Sequence, residues 1–117
     1  MNNICTSIEQ SQKLIELGID VNTADMYHAP DANVIVAEPY ITKYRDETHV
    51  PAYKGAIPAW SLAALLAVLP SGYVIVKNYH GLYYVESRDH ERSTNIFNNS
   101  VDACVKMILE LHKFKVL

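Results

Sequence analysis

The side chains able to do acid–base, nucleophilic or metal chemistry are few and scattered. The histidines are His28, His49, His80, His90 and His112, and the cysteines are Cys5 and Cys104. A zinc site draws its ligands from His and Cys at short, fixed spacings. None of these residues is so spaced. Asp89-His90-Glu91 is the densest polar cluster, but in an extended chain neighbouring side chains point to opposite sides and chelate poorly. It reads as a solvated loop. The chain contains no GxxxxGK[ST] or GxGxxG phosphate loop, no HExxH, no CxxC and no GxSxG. No metal, no cofactor and no catalytic residue is therefore expected from motif and spacing. An enzyme whose site assembles from scattered His, Asp and Tyr residues stays open as an alternative.

Tyrosine is the positive signal. There are eight tyrosines against two phenylalanines and one tryptophan, and Tyr73, Tyr79, Tyr83 and Tyr84 fall close together. Tyrosine joins a large contact area to a wet hydroxyl, which suits recognition surfaces. Strand propensity alone also predicts tyrosines here, as half-buried sheet residues. The recognition reading places an interaction surface on Ile75, Lys77, Tyr79, Leu82 and Tyr84.

A hairpin must position those residues. Residues 73–79 and 82–87 are rich in β-branched and aromatic types. His80-Gly81 between them reads as a two-residue turn, since glycine takes positive φ freely and histidine does so more readily than most residues. That register puts Val74, Val76, Tyr83 and Val85 on one face. Ile75, Lys77, Tyr79, Leu82, Tyr84 and Glu86 share the other. The first face is the more uniformly apolar and is expected to look inward.

The remaining elements follow from periodicity and punctuation. From Ser100 to Leu117, Val101, Cys104, Val105, Ile108, Leu111 and His112 form one helical stripe, with Asp102, Lys106, Glu110 and Lys113 opposite. Asn99 or Ser100 serves as cap. Asp102 suits the positive helix end, and Lys113 and Lys115 suit the negative end. Near the start, Thr6 to Glu9 reads as a capping box, and Gly18-Ile19 as a Schellman stop. Ile8, Leu14 and Ile15 form the apolar side of that helix. Residues 23–28 and 34–37 read as a first hairpin about Pro30-Asp31-Ala32-Asn33. Ala59 to Leu69 reads as an uncharged helix buried on both its leucine and alanine sides, started by Pro58 and ended by Pro70. Residues 40–55 give no clear element and read as a long loop or an irregular extra strand, and 88–98 read as a polar connection. The expected fold is a single α+β domain over residues 1–117. Its order is helix, hairpin, helix, hairpin, helix, with helices packed on one face of antiparallel sheet.

Composition narrows the function classes. Half the residues are apolar, a fifth are charged, and the chain holds four glycines and five prolines. Such a chain buries a real core and is not disordered. A net charge of −3 and arginines confined to Arg45, Arg88 and Arg92 count against a nucleic-acid partner, which calls for clustered basic surface. The apolar run from Ala56 to Pro70 is shorter than the roughly 18 residues of a membrane span. The opening Met-Asn-Asn-Ile-Cys-Thr does not read as a secretory leader. A cytoplasmic protein is expected, with no membrane partner. The expected partner is itself or another protein.

Three stretches carry a family likeness: Cys5 to Met26 (CTSIEQSQKLIELGIDVNTADM), Pro58 to Leu66 (PAWSLAALL) and Asp102 to Leu117 (DACVKMILELHKFKVL). Together they resemble a family of small uncharacterised proteins of gut anaerobic bacteria, often associated with prophages and other mobile elements. The resemblance covers both ends and the middle helix. It implies a bacterial cytoplasmic origin and an accessory role, with association with nucleic acid as the alternative, and it implies no site residue.

Overall fold

In the computed structural model, which describes residues 4–29, 34–37 and 56–114, the elements alternate between helix and antiparallel strand. They are α1 (Ile8–Glu16), a 3-10 turn (Val21–Thr23), β1 (Met26–Ala29), β2 (Val34–Val36) and β3 (Ile57–Ala59). Then follow α2 (Leu62–Val68), β4 (Tyr73–Lys77), β5 (Tyr83–Ser87) and α3 (Ser100–Lys113). The fold is α+β with antiparallel sheets. Among the described residues the strands make two sheets, β2-β1-β3 and β4-β5. The region 40–55, which gave no clear element in the sequence, lies outside the described residues.

α3 is the element on which the core is built. Asn99 caps it by accepting the Asp102 N–H at 2.8 Å. Val101, Ala103, Cys104, Val105, Met107, Ile108 and Leu111 are buried on it. This face is wider than the expected stripe: Ala103 and Met107 join it, and His112 is only half-buried at its margin. A wide face fits a helix held from two sides, and α3 packs against both α2 and β5.

α1 begins one residue later than the expected capping box. Ser7 caps it, with Ser7 Oγ accepting from the Gln10 N–H and Gln10 Oε1 accepting from the Ser7 N–H. Thr6 is instead turned into the protein, where its hydroxyl meets Ser11 Oγ at 2.7 Å and accepts the Trp60 N–H at 3.1 Å. The stop is the expected Schellman motif. Gly18 takes φ 89°, its N–H reaches the Ile15 carbonyl, and the Ile19 N–H reaches Leu14. Of the three residues assigned to the apolar side, Leu14 is fully buried while Ile8 and Ile15 are exposed. Ser11 takes the second inward position because Thr6 satisfies its hydroxyl.

The first hairpin is present, with Tyr27 opposite Val36 and Ala29 opposite Val34. β3 was not expected. Ile57–Ala59 pairs with the other side of β1, Tyr27 facing Pro58. Among the described residues the order is therefore helix, three strands, helix, two strands, helix. Pro58 is a strand residue here and not a helix start. It is tolerated because β3 lies at the sheet edge among the described residues. α2 starts at Ser61, whose hydroxyl accepts the Ala64 N–H. Leu65 and Ala64 are buried, but Ala63 and Ala67 are exposed, so the alanine side of α2 is not covered along its length. Ser61 is fixed in turn by Asp25, which accepts the Ser61 N–H at 2.9 Å and its hydroxyl at 2.5 Å.

Candidate functional site

The β4–β5 hairpin carries the residues expected to form a recognition surface, and its register differs from the expected one. Tyr73 faces Ser87, Ile75 faces Val85 and Lys77 faces Tyr83. The loop holds three residues, Tyr79-His80-Gly81. The Asn78 N–H reaches the Leu82 carbonyl, and Asn78 Oδ1 accepts from the His80 and Leu82 N–H groups. Gly81 supplies the positive φ of 80°. This is the longer loop with a left-handed glycine, not the two-residue turn.

One residue of slip exchanges the faces of one strand relative to the other. Tyr73, Ile75, Tyr83 and Val85 therefore face the core together, and Lys77 ends that row with its ammonium 5.8 Å from the Tyr83 ring centroid. Val74, Val76, Leu82, Tyr84 and Glu86 share the outer face. The expected grouping is thus divided. Ile75 is half-buried against the core, Lys77 lies on the core side at an exposed end, and Leu82 and Tyr84 are half-buried on the outer face. Tyr79 belongs to neither face: at the loop tip it is 95% exposed, its ring 4.5 Å from that of His80.

The segment expected as a polar connection folds back along β5. The Tyr83 N–H reaches the Phe97 carbonyl, the Thr94 N–H reaches Val85, and the Ser87 N–H reaches Arg92. At its head, Asp89 accepts the Ser87 hydroxyl at 2.5 Å and the Glu91 N–H at 3.0 Å, which holds its carboxyl below the usual value. His90 sits at φ 63° with Nδ1 3.3 Å from Glu86 Oε2, turned away from a joint site with Asp89 and Glu91. Among the described residues, no three His, Cys, Asp or Glu side chains gather where a metal ion would sit.

Two clefts lie elsewhere. A cleft of about 410 Å³ has Met107 and Leu111 as floor, with Glu91, Arg92, Glu110 and Phe114 around it. The Arg92 guanidinium lies 5.8 Å from the Phe114 ring centroid. A smaller one, of about 280 Å³, brings Cys5 and His28 together, a pairing the sequence did not reveal because the residues lie on different elements. A Cys–His pair performs nucleophilic chemistry when the imidazole deprotonates the thiol. Here His28 Nε2 donates to the Thr6 carbonyl at 2.7 Å, since a carbonyl only accepts. The Cys5 thiol is pushed above its ordinary value, by burial first and by the Asp25 carboxylate second. Both effects disfavour the thiolate.

Cys104 is held still more firmly as a thiol, pushed up to about 11 by burial alone. Both cysteines are free and buried. The melting temperature is therefore expected to be unchanged by a chelator and by a reductant at neutral pH, and both thiols should react with an alkylating reagent only as the chain unfolds. The unfolded chain ionises Cys104 near its ordinary 9.0 while the folded chain resists until about 11. Stability should thus fall as pH rises through that window. Rapid alkylation of the native protein at pH 7 would overturn this.

No helix among the described residues is long and apolar enough to cross a membrane. Set beside protein-family models, curated proteins and solved structures, the chain finds no match in any of the three.

Proposed function

We propose that this is a small protein-interaction or regulatory accessory module without catalytic activity, acting in the cytoplasm through its second hairpin. The observation that carries this reading is Tyr79. A tyrosine 95% exposed at a loop tip contributes almost nothing to the fold. Its position is nonetheless held firmly, by the Asn78 side chain bridging two loop N–H groups and by Gly81. A rigid loop presenting an aromatic side chain is a low-entropy anchor for a partner's pocket. The raised thiols and the engaged His28 weigh against nucleophilic catalysis. The net charge of −3 weighs against nucleic acid. The resemblance to proteins of mobile elements agrees with an accessory role.

The test is a cross-linked capture from the native host with the wild-type chain and Tyr79→Ser. The variant should melt like the wild type, because an exposed substitution shifts stability by no more than about 0.5 kcal/mol. It should lose at least one partner that the wild type captures. Identical captures by the two proteins would sink the reading.

A further inference from the structure

Among the described residues, one edge of β4 has no strand beside it. In an antiparallel pair, alternate residues of a strand point both backbone groups at the partner, and the others point both away. On β5, Tyr83, Val85 and Ser87 point away from β4, toward Phe97, Thr94 and Arg92. The residues that bond β5 to β4 are therefore Tyr84 and Glu86, opposite Val76 and Val74. The flanking bonds agree: Asn78 N–H to Leu82 and Arg88 N–H to Gly72 keep the same parity. The N–H and C=O groups of Tyr73, Ile75 and Lys77 consequently point away from β5. Among the described residues, none of these groups has a partner.

An open strand edge pairs with any compatible strand unless it is protected by proline, a bulge, inward charges or a covering segment. Two other strand edges are protected in these ways. β3 carries Pro58, and β5 is covered by residues 92–97. β4 reads Tyr-Val-Ile-Val-Lys, with no proline, no glycine and a single charge at its end.

We propose that β4 is a self-pairing edge: two copies of this chain join their β4 strands antiparallel about a two-fold axis at Ile75. This inference rests on the interaction-module reading and names its partner as a second copy. The strand is self-complementary in that register. Ile75 meets Ile75 of the second copy, and the two exchange both backbone bonds. Tyr73 meets Lys77 on each side of the axis, an aromatic ring beside a cation. On the outer face, Val74 meets Val76, so the axis gathers valines and no like charges oppose one another. A slip of one residue would lose the alignment of outward-pointing groups. The symmetric product continues the sheet through both copies, which removes the open edges of both.

A five-residue edge is smaller than a standard interface, so association is expected in the micromolar range. Light scattering of the full chain from about 5 to about 200 µM should show the mass rising from 13.2 kDa toward twice that value. Lys77→Pro removes an outward N–H and leaves the β4–β5 ladder intact, as proline is tolerated at an edge. It should keep the circular dichroism spectrum and weaken association at least tenfold. A second pair of variants tests the register. Val74→Lys with Val76→Lys sets like charges opposite each other across the axis and should give a monomer. Val74→Lys with Val76→Glu sets opposite charges there and should restore the dimer. A wild-type monomer at the highest concentration overturns the inference, as does a Lys77→Pro dimer or equal behaviour of the two charge variants. None of these outcomes bears on Tyr79-dependent capture, which judges the underlying reading separately.

Discussion

A chain ending before Ser100 is expected to give an insoluble or molten product with no cooperative melting transition. α3 buries Val101, Val105, Met107, Ile108 and Leu111, with Ala103 and Cys104 between them. Each of the larger side chains contributes about 1.5–3 kcal/mol by burial, together on the order of 10 kcal/mol. That equals the whole net stability of a typical domain, about 5–15 kcal/mol. The loss would spread beyond the helix. Ile75, Tyr83 and Val85 pack against the same core and would face water. Gln10 Nε2 donates to Asp102 Oδ1 at 2.8 Å, so α1 would lose its tie to the start of α3. Thermal melting followed by circular dichroism, with a dye that binds exposed apolar surface, checks this. A sharp transition in the truncated chain would show α3 to be peripheral. Ile108→Ala gives a graded version of the test: it should keep cooperativity and cost about 2–5 kcal/mol.

Elements whose signals are local were legible in the sequence. α3 was visible because its apolar period, its asparagine cap and the placement of Asp102 and Lys113 all agree. The Gly18 stop was visible because a glycine followed by an isoleucine is a complete local motif. Legibility ended wherever a distant residue decides. Thr6 and Ser7 both match the first position of a capping box, with Glu9 and Gln10 respectively three residues on. Trp60, far along the chain, settles the choice by engaging Thr6 on both its backbone and its hydroxyl. β3 was hidden for the same reason: three residues containing a proline become a strand only because β1 offers its free side.

The candidate site shows the same boundary at finer scale. The hairpin itself was readable, and so was its tyrosine content. Its faces were not, because they depend on a single residue of loop length. Asn78 was the available signal, since asparagine ahead of a loop readily accepts N–H groups two to four residues on. With that residue weighed, Tyr79 moves to the tip and Ile75 to the core. The open edge of β4 was beyond sequence reading altogether, since it is defined by what covers β5 and not by β4.

Trp60→Ala is expected to destabilise the protein by about 3–5 kcal/mol, the range for removing a large buried aromatic side chain. The side chain is fully buried, and it belongs to the cluster that includes Leu14, Leu65 and Ile108. It thus holds the junction between β3 and α2 against the core. Its backbone is engaged as well, exchanging bonds with Thr6 at 2.9 and 3.1 Å. Those bonds do not depend on the ring, so the variant should fold while melting at a much lower temperature. Two further variants separate the ring's volume from its polar handle. The indole Nε1 donates to Thr23 Oγ1 at 2.8 Å. Thr23→Val removes that acceptor together with the Thr23 hydroxyl's own bond to the Asp20 carbonyl at 2.6 Å, and it leaves the buried indole N–H unpaired, so it should cost about 1–3 kcal/mol. Trp60→Phe keeps most of the ring and should also cost less than Trp60→Ala, because Thr23 is exposed and water can replace the lost donor. Trp60→Ala is expected to lose the most of the three, read from urea midpoints at constant m-value. A Trp60→Ala loss no larger than that of Thr23→Val would mean that the indole is held by its hydrogen bond alone and that the core closes without it.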